Sequence, residues 1–228
     1  MKKLFIIILI PALLLACSYA GKQIHKKLYQ EKFPGFTFSN PPDIRGAELS
    51  GYEYQSINGE PLVVHSCEQA KDINISIIAD YDYFRFKQLR VSCIALEMYS
   101  TAGSALTDNF PSELGADLIY QLPATVAPLL SKAELIKKQG QSVRSYDPST
   151  QVTIDRENTF KLLTEEDEVY LSLLARGDFT KDGIEDLLVQ SEWYARNAYG
   201  KHIDLLILSR MDKESPVKIS WRLNTIDK

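Results

Sequence analysis

The 228-residue chain has little of the chemistry that marks the commoner enzyme classes. It contains three histidines and three cysteines, without a His-Glu-x-x-His motif or a paired Cys-His spacing, which argues against a zinc site. It also lacks a Gly-x-Ser-x-Gly elbow and a glycine-rich phosphate loop. His65 and His202 fall in predicted strands, where a structural role is a simpler interpretation than a catalytic base. No catalytic residue is therefore assigned from the sequence, and a non-enzymatic role is favoured.

An excess of positive charge is also missing. The chain has 26 basic and 30 acidic residues, a net charge of −4, whereas nucleic-acid-binding domains usually carry a basic stripe. The one basic cluster contains Lys22, Lys26, Lys27 and Lys32. Its place near the N-terminus predicts a solvated tether beside an anionic surface, and we expect no nucleic-acid partner.

Long hydrophobic runs are absent, but a short one opens the chain. The 13 residues from Leu4 to Ala16 are almost all apolar, too few for a bilayer, which needs about 20. Lysines precede the run and small residues follow it, a pattern typical of a secretory signal. A short membrane anchor that is never cleaved is the alternative. Two cleavage sites are possible for this signal. Cleavage after Ala20 would release a soluble protein, and cleavage before Cys17 is the second.

The second cleavage site has a recognisable motif. Residues 14–17, Leu-Leu-Ala-Cys, resemble the lipobox of bacterial lipoproteins, although Leu15 stands where Ala or Ser is commoner. The resemblance implies a signal peptide at 1–16 and a lipid on Cys17. Ser18, rather than Asp, implies transport to the outer membrane of a Gram-negative cell. We therefore expect an outer-membrane lipoprotein facing the periplasm, held by a lipid anchor without a spanning helix, with a soluble periplasmic or secreted protein as the alternative.

The cysteine count fits this scheme. If Cys17 carries a lipid, Cys67 and Cys93 remain, and an oxidising compartment permits them to pair. Closing that loop would stabilise the fold by roughly 3.5 kcal/mol on chain-entropy grounds. Two buried free thiols are the alternative.

The patterning predicts an α+β fold with a mostly antiparallel β-sheet. We expect a lipid anchor and tether over 17–45 and a single globular domain over 46–228, with a possible subdivision near 141–150. One or two short helices are predicted in the middle of the chain, within 101–140, because apolar residues there recur at helical spacing between prolines. Asn58-Gly59 predicts a hairpin turn.

Strands are predicted on both sides of the central helices. The segments INISIIADY (73–81) and FRFKQLRVSCIALEMYS (84–100) show apolar alternation and are predicted as strands. Cys93 lies inside the second of them, and Cys67 lies at the end of an earlier predicted strand. Five strands with short connections are predicted from residue 151 onwards.

The stretch GDFTKDGIEDLLVQ, residues 177–190, is the most specific motif. Calcium takes six to eight oxygen ligands, and Gly183 allows a sharp turn. Val189 stands where an EF-hand requires Glu, which excludes that motif. The candidate ligands are Asp178, Thr180, Asp182, the backbone carbonyl of Ile184, and Asp186.

The same stretch resembles the DxNxDGxxD calcium loops of FG-GAP and VCBS-type propeller repeats. The resemblance covers about 14 of 228 residues and occurs once, so it implies the loop and not the propeller. Thr180 departs from the pattern, since a hydroxyl is a weaker ligand than a carboxylate. The loop is expected to hold a structural Ca²⁺, and a polar turn without metal is the alternative.

Aromatic and arginine side chains suggest a surface for a protein partner. Tyr, Trp and Arg are common anchors of protein interfaces. The candidate patch contains Tyr83, Trp193, Tyr194, Arg196 and Tyr199. Core aromatics and an exposed hairpin tip are the alternative interpretation.

Three functions follow from these features. The first is a non-enzymatic binding, adaptor or immunity-type module of the envelope. The second is a hydrolase of envelope polymers that uses Asp178, Asp182 or Glu192. It predicts a deep cleft beside two carboxylates whose pKa values are pushed apart, whereas the binding module predicts a flat aromatic patch. The third is a calcium-dependent surface adhesin.

Overall fold

The computed structural model describes residues 23–38 and 48–224. The predicted signal peptide and the predicted lipid site, Cys17, lie outside the described residues. The strands are β1 (Lys27–Leu28), β2 (Phe36–Thr37), β3 (Glu48–Leu49), β4 (Tyr52–Gln55), β5 (Pro61–Val64), β6 (Gln151–Arg156), β7 (Thr159–Leu163), β8 (Asp167–Gly177), β9 (Asp186–Ala195), β10 (Lys201–Ser209) and β11 (Lys218–Arg222). The helices are α1 (Cys67–Asp72), α2 (Asp80–Thr101), α3 (Ala116–Gln121), α4 (Lys132–Lys138) and α5 (Val143–Tyr146).

A seven-stranded antiparallel sheet organises the fold. Its order is β11-β10-β9-β8-β7-β6, and β1 pairs with the C-terminal part of β8 beyond the end of β7. The hairpin β4–β5 and the short pair β2–β3 are separate. The predicted α+β class with a mainly antiparallel sheet is confirmed.

The sheet buries both of its faces, because successive side chains of a strand point to opposite sides. One face carries Leu171, Val189 and Leu206 and packs against α3 and α5. The other face carries Leu188 and Leu205 and packs against α2. The outer side of α2 is covered in turn by the hairpin β4–β5 and by α1.

Residues 80–101 form a helix of 22 residues, so the predicted strands in this region are wrong. Val91 and Ala95 of α2 face the sheet, and Phe86 and Leu89 face the β4–β5 hairpin. A helix buried on two sides carries apolar residues around most of its circumference. The same run therefore also shows the alternation of a strand, which misled the prediction.

The Cys67–Cys93 disulfide is confirmed, with a Cα–Cα distance of 5.4 Å. Both cysteines lie in helices, Cys67 at the start of α1 and Cys93 within α2, and not in strands as predicted. The bond therefore joins the small helix α1 to the central helix.

The two short helices predicted in the middle of the chain are present as α3 and α4. The Ser131 hydroxyl caps α4 by accepting from the Glu134 N–H at 3.1 Å, and Gly140 follows the helix with φ +76°, which suits glycine. The prediction that helices are confined to the middle of the chain is wrong, since α1 and α2 precede residue 102.

The N-terminal segment is packed onto the sheet. Tyr29 and Phe33 are 6% and 2% exposed, and β1 is hydrogen-bonded to β8. The Lys26 ammonium donates to the carbonyl oxygens of Tyr99 at 2.9 Å and Ala102 at 3.1 Å, where a helix C-terminus favours a cation. Residues 24–38 therefore belong to the folded domain and are not a solvated tether.

The remaining turns mostly follow their local signals. Gly59 has φ +80° in the predicted hairpin turn, and Pro61 begins β5. The first of the five strands predicted after residue 150 is a hairpin, β6–β7, because the chain reverses at Glu157-Asn158.

Among the described residues, no helix is both long and apolar enough to cross a bilayer.

Candidate functional site: the aspartate loop and a polar cleft

The aspartate loop connects β8 to β9 and is closed by its own hydrogen bonds. Both Asp178 carboxylate oxygens accept backbone N–H groups, from Asp182 and Gly183, at 3.0 Å each. The Asp182 carboxylate accepts from the Ile184 N–H at 2.9 Å. These bonds are typical of Asx turns. They direct the two carboxylates at the backbone of the loop.

Asp186 lies beneath the loop and is fully buried. Its Oδ2 accepts from the N–H groups of Phe179 and Thr180 and from the Thr180 hydroxyl, at 2.9–3.0 Å. Its Oδ1 is buried with no partner among the described residues. The neighbouring Ser209 hydroxyl is bonded instead to Ser220 at 2.8 Å. Burial raises the pKa of Asp186, and the bonds from Thr180 oppose that shift.

The loop does not form a cation cage. The parts of the chain that the structure describes contain no group of three His, Cys, Asp or Glu side chains placed to hold a metal ion. The Thr180 hydroxyl donates to Asp186 and so points into the loop's own network. Because both oxygens of Asp178 and one oxygen of Asp182 accept hydrogen bonds from the loop's own backbone, calcium binding would require these carboxylates to turn. Calcium therefore stays a prediction.

The five residues of the predicted interaction patch lie on different parts of the surface. Trp193 packs on the core between the sheet and α3, and Tyr194 packs edge-on against Phe84 of α2, with ring centres 5.8 Å apart. Arg196 donates to the Thr164 carbonyl at 2.8 Å and so braces two hairpins. Tyr83 is half-exposed on α2, and Tyr199 is fully exposed at the β9–β10 turn. Because Trp193 and Tyr194 point to opposite faces of the sheet, the five do not form one patch.

A polar cleft opens instead on the α2 side of the sheet, where α2 does not cover β7, β8 and β9. It has two adjoining parts of about 540 and 680 Å³, which share Arg156, Thr159, Ser172 and Glu192. We call this region the polar cleft. Its other polar or aromatic lining residues include Glu31, Lys32, Tyr52, Arg85, Gln88, Asp155, Glu157, Glu168, Tyr170, Gln190 and Tyr194.

Two Glu-x-Tyr motifs on neighbouring strands form the floor of the polar cleft. In the β8–β9 register, Glu168 lies opposite Tyr194, and Tyr170 lies opposite Glu192. Each tyrosine hydroxyl donates to the glutamate of its own strand, Tyr170 to Glu168 at 2.5 Å and Tyr194 to Glu192 at 2.6 Å. The tyrosine rings meet edge to face at 5.9 Å.

Both glutamates have further partners. Glu192 accepts from the Gln190 amide at 2.6 Å and from the Gln88 amide of α2 at 3.2 Å. Glu168 forms an ion pair with Lys161. The hydrogen bonds from Lys161 and Tyr170 hold the pKa of Glu168 below its usual value. The contacts of Glu168 favour its ionised form, which can bind a cation or accept hydrogen bonds.

The tyrosines of the polar cleft are held neutral. Burial and the bond to Glu192 raise the pKa of Tyr194, and the bond to Glu168, together with burial, raises that of Tyr170. Neutral phenols keep their hydroxyl protons for donation. The floor therefore combines fixed carboxylates with aromatic faces.

Sequence reasoning named Glu192 but missed Glu168, Tyr170, Ser172 and Gln190. Polar residues alternate at 168, 170 and 172, and again at 190, 192 and 194, which is the period of one face of a strand. That signal identifies a polar face on each strand. It does not reveal that the two faces are adjacent, because this depends on the register.

The chain was compared with protein-family models, curated proteins and solved structures, and none of them matches it.

Proposed function

We propose that the protein is a lipid-anchored binding module of a bacterial envelope and that the polar cleft receives a basic segment of a partner protein. The observation that carries this proposal is the paired Glu-x-Tyr floor. Glu168 and Glu192 present carboxylates already fixed by hydrogen bonds. The adjacent tyrosine faces attract cations.

The charge of the whole polar cleft supports the same ligand class. Five acidic residues and three basic residues line its two parts, and Lys161, paired with Glu168, is a fourth basic residue beside the floor, so acidic groups still outnumber basic ones. Complementary charge mainly sets specificity and association rate. A basic side chain is therefore the group that this cleft recognises best.

The hydrolase alternative has less support. It needs one carboxylic acid in the cleft with a raised pKa, whereas the pKa of Glu168 is lowered by Lys161 and Tyr170. Among the described residues, the carboxyls whose pKa burial raises are Glu185 and Asp186, which lie in and beneath the aspartate loop. The adhesin alternative depends on calcium binding at that loop.

Site-specific photo-crosslinking in cells that make the native partner tests the proposal. A photoreactive residue in place of Asp155, at the cleft rim, should give a defined adduct. The same residue in place of Ile136, which is 65% exposed on the opposite face of the sheet, should not. Adding Glu168→Gln and Glu192→Gln should remove the adduct, and raising the salt should weaken it.

An adduct that survives both substitutions, or that forms equally at both positions, would contradict the polar cleft as the binding site. Cleavage of envelope polymers by the purified protein, abolished by Glu192→Gln, would establish the hydrolase instead. Circular dichroism of each variant should match that of the wild-type protein, which shows that the substitutions leave the fold intact.

A further inference from the structure

The N-terminal segment enters the domain at one end of the main sheet. Lys27 lies opposite Arg176, and Leu28 lies opposite Ala175. Because this pairing is antiparallel, the chain before Lys27 runs towards the aspartate loop that follows Gly177. The backbone of Ile24 is paired there with Ala105, through bonds of 2.7 and 3.0 Å.

Three loops meet at this end, which we call the loop end: residues 103–107, 178–184 and 210–216. The first two are joined because Leu106 N–H donates to the Gly183 carbonyl at 2.8 Å. The third is tied to the chain just after the first, since the Asn109 side-chain amide donates to the Met211 carbonyl at 2.9 Å. The loop end is therefore one connected surface.

The distance along the chain limits where a lipid on Cys17 can hold the domain. Five residues lie between Cys17 and Gln23, and the six residue-to-residue steps span only about 20 Å even when the chain is fully extended. Strand β8 has 11 residues and so measures about 34 Å. The hairpins at its other end, 164–166 and 196–200, are therefore out of reach of the anchor point.

We propose that the loop end rests on the surface of the phospholipid bilayer. This inference rests on the lipid anchor of the proposed function. The side chains of Leu106 and Met211 are 63% and 60% exposed at this end, and apolar side chains on short loops can enter the interfacial region. Lys181 and Lys213 are exposed beside them and suit anionic headgroups.

Charge does not distinguish the two ends. At the loop end, Asp182, Asp212 and Glu214 are exposed beside Lys181 and Lys213, and hydrogen bonds from Ser215 and Glu214 lower the pKa of Asp212 and keep it negatively charged. The short chain after Cys17 and the exposed apolar side chains therefore carry the orientation. This orientation directs the far hairpins, with exposed Tyr199, away from the membrane. The polar cleft, whose floor includes Glu168 near the far end, stays open to a partner.

Lysine labelling of the lipidated protein tests the orientation. The protein is placed in vesicles of phosphatidylethanolamine and phosphatidylglycerol, its lysines are briefly acetylated with a water-soluble reagent, and each site is quantified by mass spectrometry. Labelling of Lys181 and Lys213 should be several-fold lower than in an unanchored Cys17→Ser protein. Lys137 and Lys201, which are exposed away from the loop end, should label equally in both.

Two matched variants test the contribution of the apolar contact. Leu106→Asp should restore the labelling of Lys181 in vesicles. Ile154→Asp, at a residue that is 66% exposed on the edge strand β6, should leave it low. Restoration by the Ile154 variant, or by neither variant, would overturn the proposal.

The failures of the two proposals can be distinguished. A lipidated protein whose lysines label equally with and without vesicles overturns the orientation alone. An intact mass that shows no lipid on Cys17 removes the anchor and overturns the orientation with it. The polar cleft as a binding site would survive either result, because the crosslinking test does not depend on the anchor.

Discussion

At the scale of single residues, a buried ion pair secures the aspartate loop. Arg176 and Glu185 have side chains that are 7% and 5% exposed, with a contact of 2.8 Å. Arg176 also donates to the carbonyls of Pro111 and Ser112, at 2.6 and 3.2 Å. Burial raises the pKa of Glu185, although Arg176 opposes this. The pair therefore connects β8 and the loop to the segment before α3.

Removing the charge of Glu185 should be costly. Glu185→Gln leaves the Arg176 guanidinium buried without its counter-ion, and breaking a buried pair in this way costs about 3–5 kcal/mol. Urea denaturation measures the change in the free energy of unfolding. Glu97→Gln is the control, since its pair with Lys71 is exposed and should contribute only about 0–1 kcal/mol. Equal losses in the two variants would contradict a special role for the buried pair.

At the scale of elements, the aspartate loop between β8 and β9 can be closed in two ways, by its own hydrogen bonds or by a bound cation. Asp178 and Asp182 cap backbone N–H groups, which closes the loop without an ion. The buried Oδ1 of Asp186, which has no partner among the described residues, would gain from a cation. The resemblance to calcium loops therefore remains a hypothesis about this element, and a melting experiment can decide it.

Calcium at millimolar concentration is expected to raise the melting temperature of the protein, since calcium loops of extracellular modules bind at about 10⁻⁴–10⁻³ M. Magnesium should have less effect, because it prefers a stricter geometry. Asp182→Ala should abolish the shift. Asp212→Ala, which removes a similar capping carboxylate from the β10–β11 loop, should retain it. A melting temperature that calcium leaves unchanged would show that hydrogen bonds alone close the loop.

At the scale of the whole molecule, the chain that precedes β2 completes the core. Phe33 is 2% exposed and packs with residues of α2 and of the main sheet. Its ring lies edge-on to Phe36 and Phe38, with centres 6.1 Å apart in each case. The folded domain therefore depends on residues that composition had assigned to a tether.

Truncation of this aromatic residue should destabilise the entire domain. Phe33→Ala is expected to lower the free energy of unfolding by about 3–5 kcal/mol, as for other buried aromatic residues. Ile57→Ala, at a position that is 63% exposed, should change it by less than about 0.5 kcal/mol. Circular dichroism and tryptophan fluorescence should report coincident transitions. A small effect of Phe33→Ala would indicate that the N-terminal segment folds separately from the sheet.

The same scale explains which predictions held. The hairpin at Asn58-Gly59 and the strands β8 to β11 follow from local signals, a turn dipeptide and apolar runs bounded by turn residues. The pairing of Cys67 with Cys93 follows from counting the cysteines of a chain that is predicted to be exported. The helix α2 was missed because it is buried between the sheet and the β4–β5 hairpin. This two-sided burial removes the polar face on which helix recognition depends.

The sequence by itself determined the α+β class, the turn positions, the disulfide and the place of the aspartate loop between two strands, because each depends on residues close in the chain or on composition. Only the tertiary structure decided the place of the N-terminal segment beside β8 and the adjacency of Glu168 and Tyr170 to Glu192 and Tyr194. These arrangements depend on strand register and on packing between distant segments. A shift of one residue in that register would turn one motif to the other face of the sheet.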